Sequence, residues 1–202
     1  MQLVLATNNE DKIEEIRDLL DDLSITILTR ADFLDFPEPE ESGSTLADNA
    51  TIKARAIVDY CELAALADDS GLEVDALNGA PGVLSSRYAG ENVTYKDNYE
   101  KLLADLKGVP PEKRTARFRC VMAIAWSVDE VETVEGVVEG FIAEDAVVGR
   151  GFGYDPVFFY PPLKKRFSEM SLEEKNRVSH RGLALQEVRT LIIDRLNSPM
   201  QG

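Results

Sequence analysis

The sequence has one histidine, His180, one tryptophan and two cysteines, Cys61 and Cys120. A lone histidine without a cysteine cluster gives little support to a zinc centre or a Ser-His-Asp triad. Two isolated cysteines, one in a helical and one in a strand pattern, make no dense disulfide framework, and both thiols are expected to be buried and inert. No apolar run approaches the ~20 residues needed to cross a bilayer. The strand-like start at 3–6 lacks a basic flank or cleavage signal, so the chain reads as cytoplasmic, with no membrane partner. Cations are also scarce, with 22 Lys and Arg against 37 Asp and Glu and a formal net charge of -15. Such a charge repels a nucleic-acid polymer, while a local cluster of cations in a cleft still leaves a small phosphorylated substrate open.

What is present is a chain of 202 residues, 44% hydrophobic, enough to bury a substantial core. Without repeats, low-complexity tracts or autonomous linkers, residues 1–202 are expected to form a single domain of two joined lobes. Periodicity predicts a strand at 2–6, a helix at 11–21, a strand at 25–29, a helix at 45–61 and a strand at 64–68, which makes the opening α/β. A third helix is expected at 94–107, stopped by Gly108, Pro110 and Pro111. Strand formers at 115–126 and 131–142 predict a long antiparallel pair, read as the backbone of the second lobe. A turn-rich stretch at 149–156, a short strand at 157–160 and two helices complete the chain, the first opened by a Ser171 and Glu174 capping box.

Five segments carry possible chemistry. Asp68 and Asp69 follow a short apolar strand and precede Ser70 and Gly71, a strand-to-turn reading in which neighbouring acids face opposite sides. One acid could then face a cleft and the other anchor the turn, although an acidic surface turn is the commoner meaning. The loop Thr7, Asn8, Asn9, Glu10, Asp11, Lys12 empties into a helix, where backbone N–H groups and a lysine can receive phosphate, or where an asparagine merely caps. Glu41 precedes a helix that carries Lys53, so a carboxylate there could join Asp69 at a magnesium ion, which favours few carboxylates plus water and substrate phosphates. Glu38 and Glu40 read as solvated. Phe152, Gly153, Tyr154 and Asp155 suit either a pocket that stacks a base or a rigid turn whose aromatics enter the core. Lys175, His180 and Arg181 place donors at a junction between helices.

Thr7-Asn8-Asn9 with Lys12, the segment from Ala67 to Val74, Gly79-Ala80-Pro81-Gly82, Ser86-Arg87-Tyr88, the segment from Phe152 to Pro156 and Ser179-His180-Arg181-Gly182 run in order over nearly the whole chain, and together they resemble the inosine triphosphatase family. The resemblance implies hydrolysis of non-standard purine nucleoside triphosphates, such as ITP, dITP and XTP, to the monophosphate and pyrophosphate. It also implies Mg2+ and a homodimer. By the resemblance, Thr7 to Lys12 and Lys53 bind the triphosphate, Glu41 and Asp69 ligate magnesium, and Asp69 accepts a proton. Ser70 touches substrate, and Phe152 to Asp155, Lys175, His180 and Arg181 surround the base and nearby phosphates. Glu10 and Asp11 are expected to point outward from the helix start, where negative charge favours the macrodipole. The expected fold is α/β and elongated, with two lobes around a central mixed β-sheet flanked by helices and the nucleotide cleft between them. Two other functions compete: a pyrophosphatase for other nucleotides and a non-catalytic nucleotide-binding protein.

Overall fold

A computed structural model describes residues 1–198. The elements are β1 (Gln2–Leu5), α1 (Glu10–Leu20), β2 (Thr26–Leu28), α2 (Leu46–Cys61), β3 (Ala64–Val74), β4 (Pro81–Gly82), α3 (Tyr95–Asp105), β5 (Thr115–Ala125), β6 (Val131–Ile142), β7 (Phe158–Tyr160), β8 (Lys165–Arg166), α4 (Leu172–Val178) and α5 (His180–Asn197). The strands follow the order β2-β1-β3-β5-β6-β7-β8, with β4 added on β3. The sheet is mixed, because β1 pairs in parallel with β2 and β3, whereas β3–β4, β6–β7 and β7–β8 are antiparallel.

The chain divides into two compact units. The first takes Met1–Asp69, Cys120–Gly136 and the chain from Arg181 on; the second takes Ser70–Arg119 and Val137–His180. In the first, Leu3, Leu5 and Leu66 of the sheet pack with Ile13, Ile16 and Leu20 of α1 and with Leu185, Val188 and Ile192 of α5. Those helix positions recur every three or four residues, so each helix turns one stripe to the sheet. In the second, Leu72, Val74, Phe118 and Ile142 meet Leu102 and Leu106 from the α3 segment, with Phe158 and Phe167 filling the centre.

The structure corrects several expectations. The strand expected at 64–68 continues to Val74, so the acidic pair lies inside β3 rather than at its end. The Asp-Asp-Ser-Gly turn signal loses because both acids meet cations and Leu72 and Val74 beyond them are fully buried. The Gly79-Ala80-Pro81-Gly82 stretch supplies β4, which pairs Leu72 with Gly82 and Glu73 with Pro81. The long pair at 115–142 is antiparallel, bracketed by Trp126 N–H to Glu130 O and Ile142 N–H to Arg114 O. It is not the backbone of one lobe, since the part from Cys120 to Gly136 belongs to the first unit. Cys120 is buried as expected, but Cys61 is only half-buried, its thiol donating to Ile57 O at 3.1 Å.

Candidate active site

The period-two alternation of β3 sends Asp68 and Asp69 to different partners. Asp68 has no exposed side-chain surface and meets Lys12 Nζ at 2.9 Å. Arg181 Nη2 also reaches Asp68 Oδ2 at 3.2 Å, while its Nη1 donates to Glu15 Oε2 at 2.5 Å. Burial on its own would raise the Asp68 carboxyl, but the charges of Lys12, Arg181 and Lys53 outweigh it and hold it well below the usual carboxylate range. Asp68 is therefore a fixed anion that orients two cations.

Asp69 lives differently. Lys53 Nζ donates to Asp69 Oδ1 at 3.2 Å and to Glu41 Oε1 at 3.0 Å. Asn49 Nδ2 donates to Asp69 Oδ2 at 3.2 Å. Burial pushes the Asp69 carboxyl up and the negative charge of Glu41 adds to this, with Lys53, Asn49 and Lys12 opposing in part. Burial works against the Lys53 ammonium, yet Asp69, Asp68 and Glu41 together raise it above its ordinary value. The cluster thus pairs a carboxyl raised above its ordinary value with a cation that stays charged.

The loop before α1 is built as a cap. Asn9 Oδ1 accepts from the Lys12 N–H at 3.2 Å and Thr7 Oγ1 from the Asn9 N–H at 3.2 Å. Asn8 Nδ2 donates to Glu38 Oε1 at 3.1 Å, and Glu38 also meets Arg30. Glu10 and Asp11 are exposed in the first turn, the end of a helix where negative charge is favourable. Lys12, at the end of this loop, brings its side chain to Asp68 of the acidic pair.

In the second unit, Asp155 organises the glycine-flanked turn. Its Oδ2 accepts from the Phe152 N–H at 2.9 Å and from Lys175 Nζ at 2.6 Å. Gly151 has φ +79°, and a Cβ there would lie 2.1 Å from Asp155 Oδ2, so the turn requires glycine. Lys175 Nζ stands 4.7 Å over the Phe152 ring, and that half-exposed ring lies 5.8 Å from Tyr95. Tyr154 takes the other course: its ring is in the core and its hydroxyl donates to Ser85 O at 2.8 Å. The His180 ring stacks on Phe118 at 4.6 Å and 12°. Ser70 is half-buried on β3 directly after Asp69, and Gly153, with φ +61°, shapes the turn.

Glu41, Lys53 and Asp69 converge in the first unit, as do Lys12, Asp68 and Arg181; Phe152, Asp155 and Lys175 converge in the second. Asn49 and Glu15 also join these clusters, unexpected from the sequence. The signals were there: Asn49 precedes Lys53 by four residues and Glu15 follows Lys12 by three, spacings that share a helix face. Among the described residues no three His, Cys, Asp or Glu side chains gather as a metal cage. Glu41 and Asp69, both hard oxygen donors drawn to one ammonium, fit a cation that takes one or two carboxylates and completes its shell with water and phosphate.

A model of the Ham1 family matches residues 3–191. A protein named dITP/XTP pyrophosphatase from Desulforamulus reducens is 49% identical over 192 residues, covering 95% of this chain and 96% of its own. One of the same name from Bacillus subtilis is 42% identical, with 95% and 96% covered. Among solved structures, a HAM1 protein from Coxiella burnetii superposes with a TM-score of 0.88 at 42% identity, covering 96% of this chain and 99% of that one. The Staphylococcus aureus Ham1 protein does so with a TM-score of 0.86 at 36% identity, covering 96% and 100%.

Proposed function

The chain belongs to the Ham1 family, and from that premise we propose that it hydrolyses dITP, ITP and XTP to the nucleoside monophosphate and pyrophosphate. Relatives named dITP/XTP pyrophosphatase, 42–49% identical over nearly the whole chain, support the substrate class. The observation that carries the chemistry is the Glu41–Lys53–Asp69 cluster, with two carboxylates on one ammonium.

Lys12 and Lys53 draw in the triphosphate and offset its charge. Asp69, its carboxyl raised by burial, takes the proton of the attacking water, which needs only one displacement at the α-phosphorus and no covalent nucleophile. Glu41 and Asp69 are the residues that would hold magnesium, which when bound neutralises charge on the phosphate oxygens. Ser70, next to Asp69, contacts substrate, and the N–H groups at the start of α1, around Thr7 to Asp11, face phosphate.

Base recognition falls to Phe152, Gly153, Asp155, Lys175 and His180. Hypoxanthine and xanthine present a 6-oxo acceptor where adenine has a 6-amino donor, so the Lys175 ammonium favours the former. A buried donor left without its acceptor costs ~1–3 kcal/mol. Arg181 is assigned differently: its guanidinium serves Glu15 and Asp68, so it steadies Asp68 and, through it, Lys12. Tyr154 supports the turn from the core. We also propose a homodimer that acts on the cytoplasmic nucleotide pool; among the described residues no helix is long and apolar enough to cross a membrane.

The test is a substrate panel of ITP, dITP, XTP, ATP, GTP, UTP and dTTP, with and without magnesium, read for the phosphate product. Pyrophosphate from the first three supports the reading. Preference for pyrimidine nucleotides contradicts it, and binding without turnover marks a sensor.

A further inference from the structure

Asn49 has no role in the chemistry above, yet it ties the segment after Glu41 to Asp69. The residue is 2% exposed and lies on α2 one turn before Lys53, on the same face of the helix. Asn49 Nδ2 donates to Asp69 Oδ2 at 3.2 Å, and Lys53 Nζ donates to the other oxygen, Oδ1, at 3.2 Å. One helix face therefore holds both oxygens of a single carboxylate. The amide is oriented from behind, because the Gly43 N–H donates to Asn49 Oδ1 at 2.8 Å; a flipped amide would present a donor to a donor. Gly43 comes this close only as glycine. A Cβ there would sit 2.5 Å from Asp48 Cβ, 2.6 Å from Asn49 Oδ1 and 2.9 Å from Asn49 N. Two residues before Gly43, Glu41 meets Lys53 at 3.0 Å.

The second torsion of an aspartate is broad and has no strong preference of its own, so an unsupported carboxylate does not keep its oxygens aimed. We propose that Asn49, braced by the Gly43 N–H, is a positioning residue for hydrolysis: it fixes the plane of the Asp69 carboxylate and keeps Glu41 in register with it. The inference rests on the assignment of Asp69 as the proton acceptor. A group held this way gains from alignment, and loss of the support misplaces the acceptor rather than removing it.

Asn49→Leu keeps the length of the side chain and adds no charge beside Asp69, but it removes both the donor to Asp69 and the acceptor for the Gly43 N–H. The readout is kcat and KM for XTP at saturating magnesium, scaled to the native fraction by circular dichroism. The expected result is a kcat lower by about 10- to 100-fold, with KM changed by less than about threefold, the signature of a lost transition-state interaction. Should this variant fail to reach the native state, Gly43→Ala carries the same test, since it displaces Asn49 without touching Asp69 or Lys53. An amide that only anchored the loop would leave kcat at the wild-type value in Asn49→Leu, and that result, or an effect confined to KM, overturns the proposal. A wild-type protein that releases no pyrophosphate from XTP contradicts both the assigned activity and the positioning role. Wild-type turnover beside an unimpaired variant contradicts the positioning role alone.

Discussion

Asp68 and Asp69 are consecutive residues of β3 with opposite surroundings: Lys12 and Arg181 hold the first as a permanent anion, while burial and Glu41 raise the carboxyl of the second. The alternation of a strand produces the split, because adjacent side chains leave on opposite faces and meet different helices. Asp68 is placed to orient cations, and Asp69 is the group proposed above as proton acceptor.

Asp69→Asn removes the acceptor while keeping the shape and both neighbouring donors. Turnover of dITP is expected to fall by about 100- to 10,000-fold, with the circular dichroism spectrum unchanged. Residual activity within tenfold of wild type, on the order of RT ln 10, would remove Asp69 from the catalytic role.

Asp68→Asn is expected to act first on stability, because it leaves Lys12 and the buried Arg181 short of a counter-ion. Breaking a buried pair costs about 3–5 kcal/mol, to be read from urea unfolding at neutral pH. The carboxyl is held below its unfolded value of about 3.9. Its contribution is therefore in place above pH ~4 and is lost as the pH falls toward the folded value. The gap between wild type and variant should narrow on acidification; a constant gap would show that the charge is not its source.

Phe152→Ala tests base recognition. The ring is half-exposed and braced by Lys175 and Tyr95, so its loss should weaken stacking by ~1–3 kcal/mol. That corresponds to a KM for XTP raised by about 5- to 150-fold, with kcat changed little. An unchanged KM would move the base elsewhere.

Magnesium removal probes the two-carboxylate arrangement of Glu41 and Asp69. Chelation with EDTA should stop turnover without unfolding, and added Mg2+ should restore it. Hydrolysis that persists in chelator contradicts the metal assignment.

The elements were legible where apolar spacing decided them, as in the stripe of Ile13, Ile16 and Leu20, and the opposite faces of Asp68 and Asp69 followed from strand period alone. The length of β3 was not. Asp-Asp-Ser-Gly carries a turn signal, and the groups that override it, Lys12 and Arg181, stand far away in sequence. The role of Tyr154 beside Phe152 was equally hidden, because only the core shows which ring turns inward. Asn49 looked like any helix residue until Gly43 and Asp69 appeared on its two ends.

The central claim is that water attacks the α-phosphorus with Asp69 as proton acceptor, and hydrolysis of XTP in water enriched in oxygen-18 tests it most directly. Mass spectrometry of the products should find pyrophosphate without label and the monophosphate carrying one labelled oxygen. Label in the pyrophosphate, or release of orthophosphate in its place, would contradict the account.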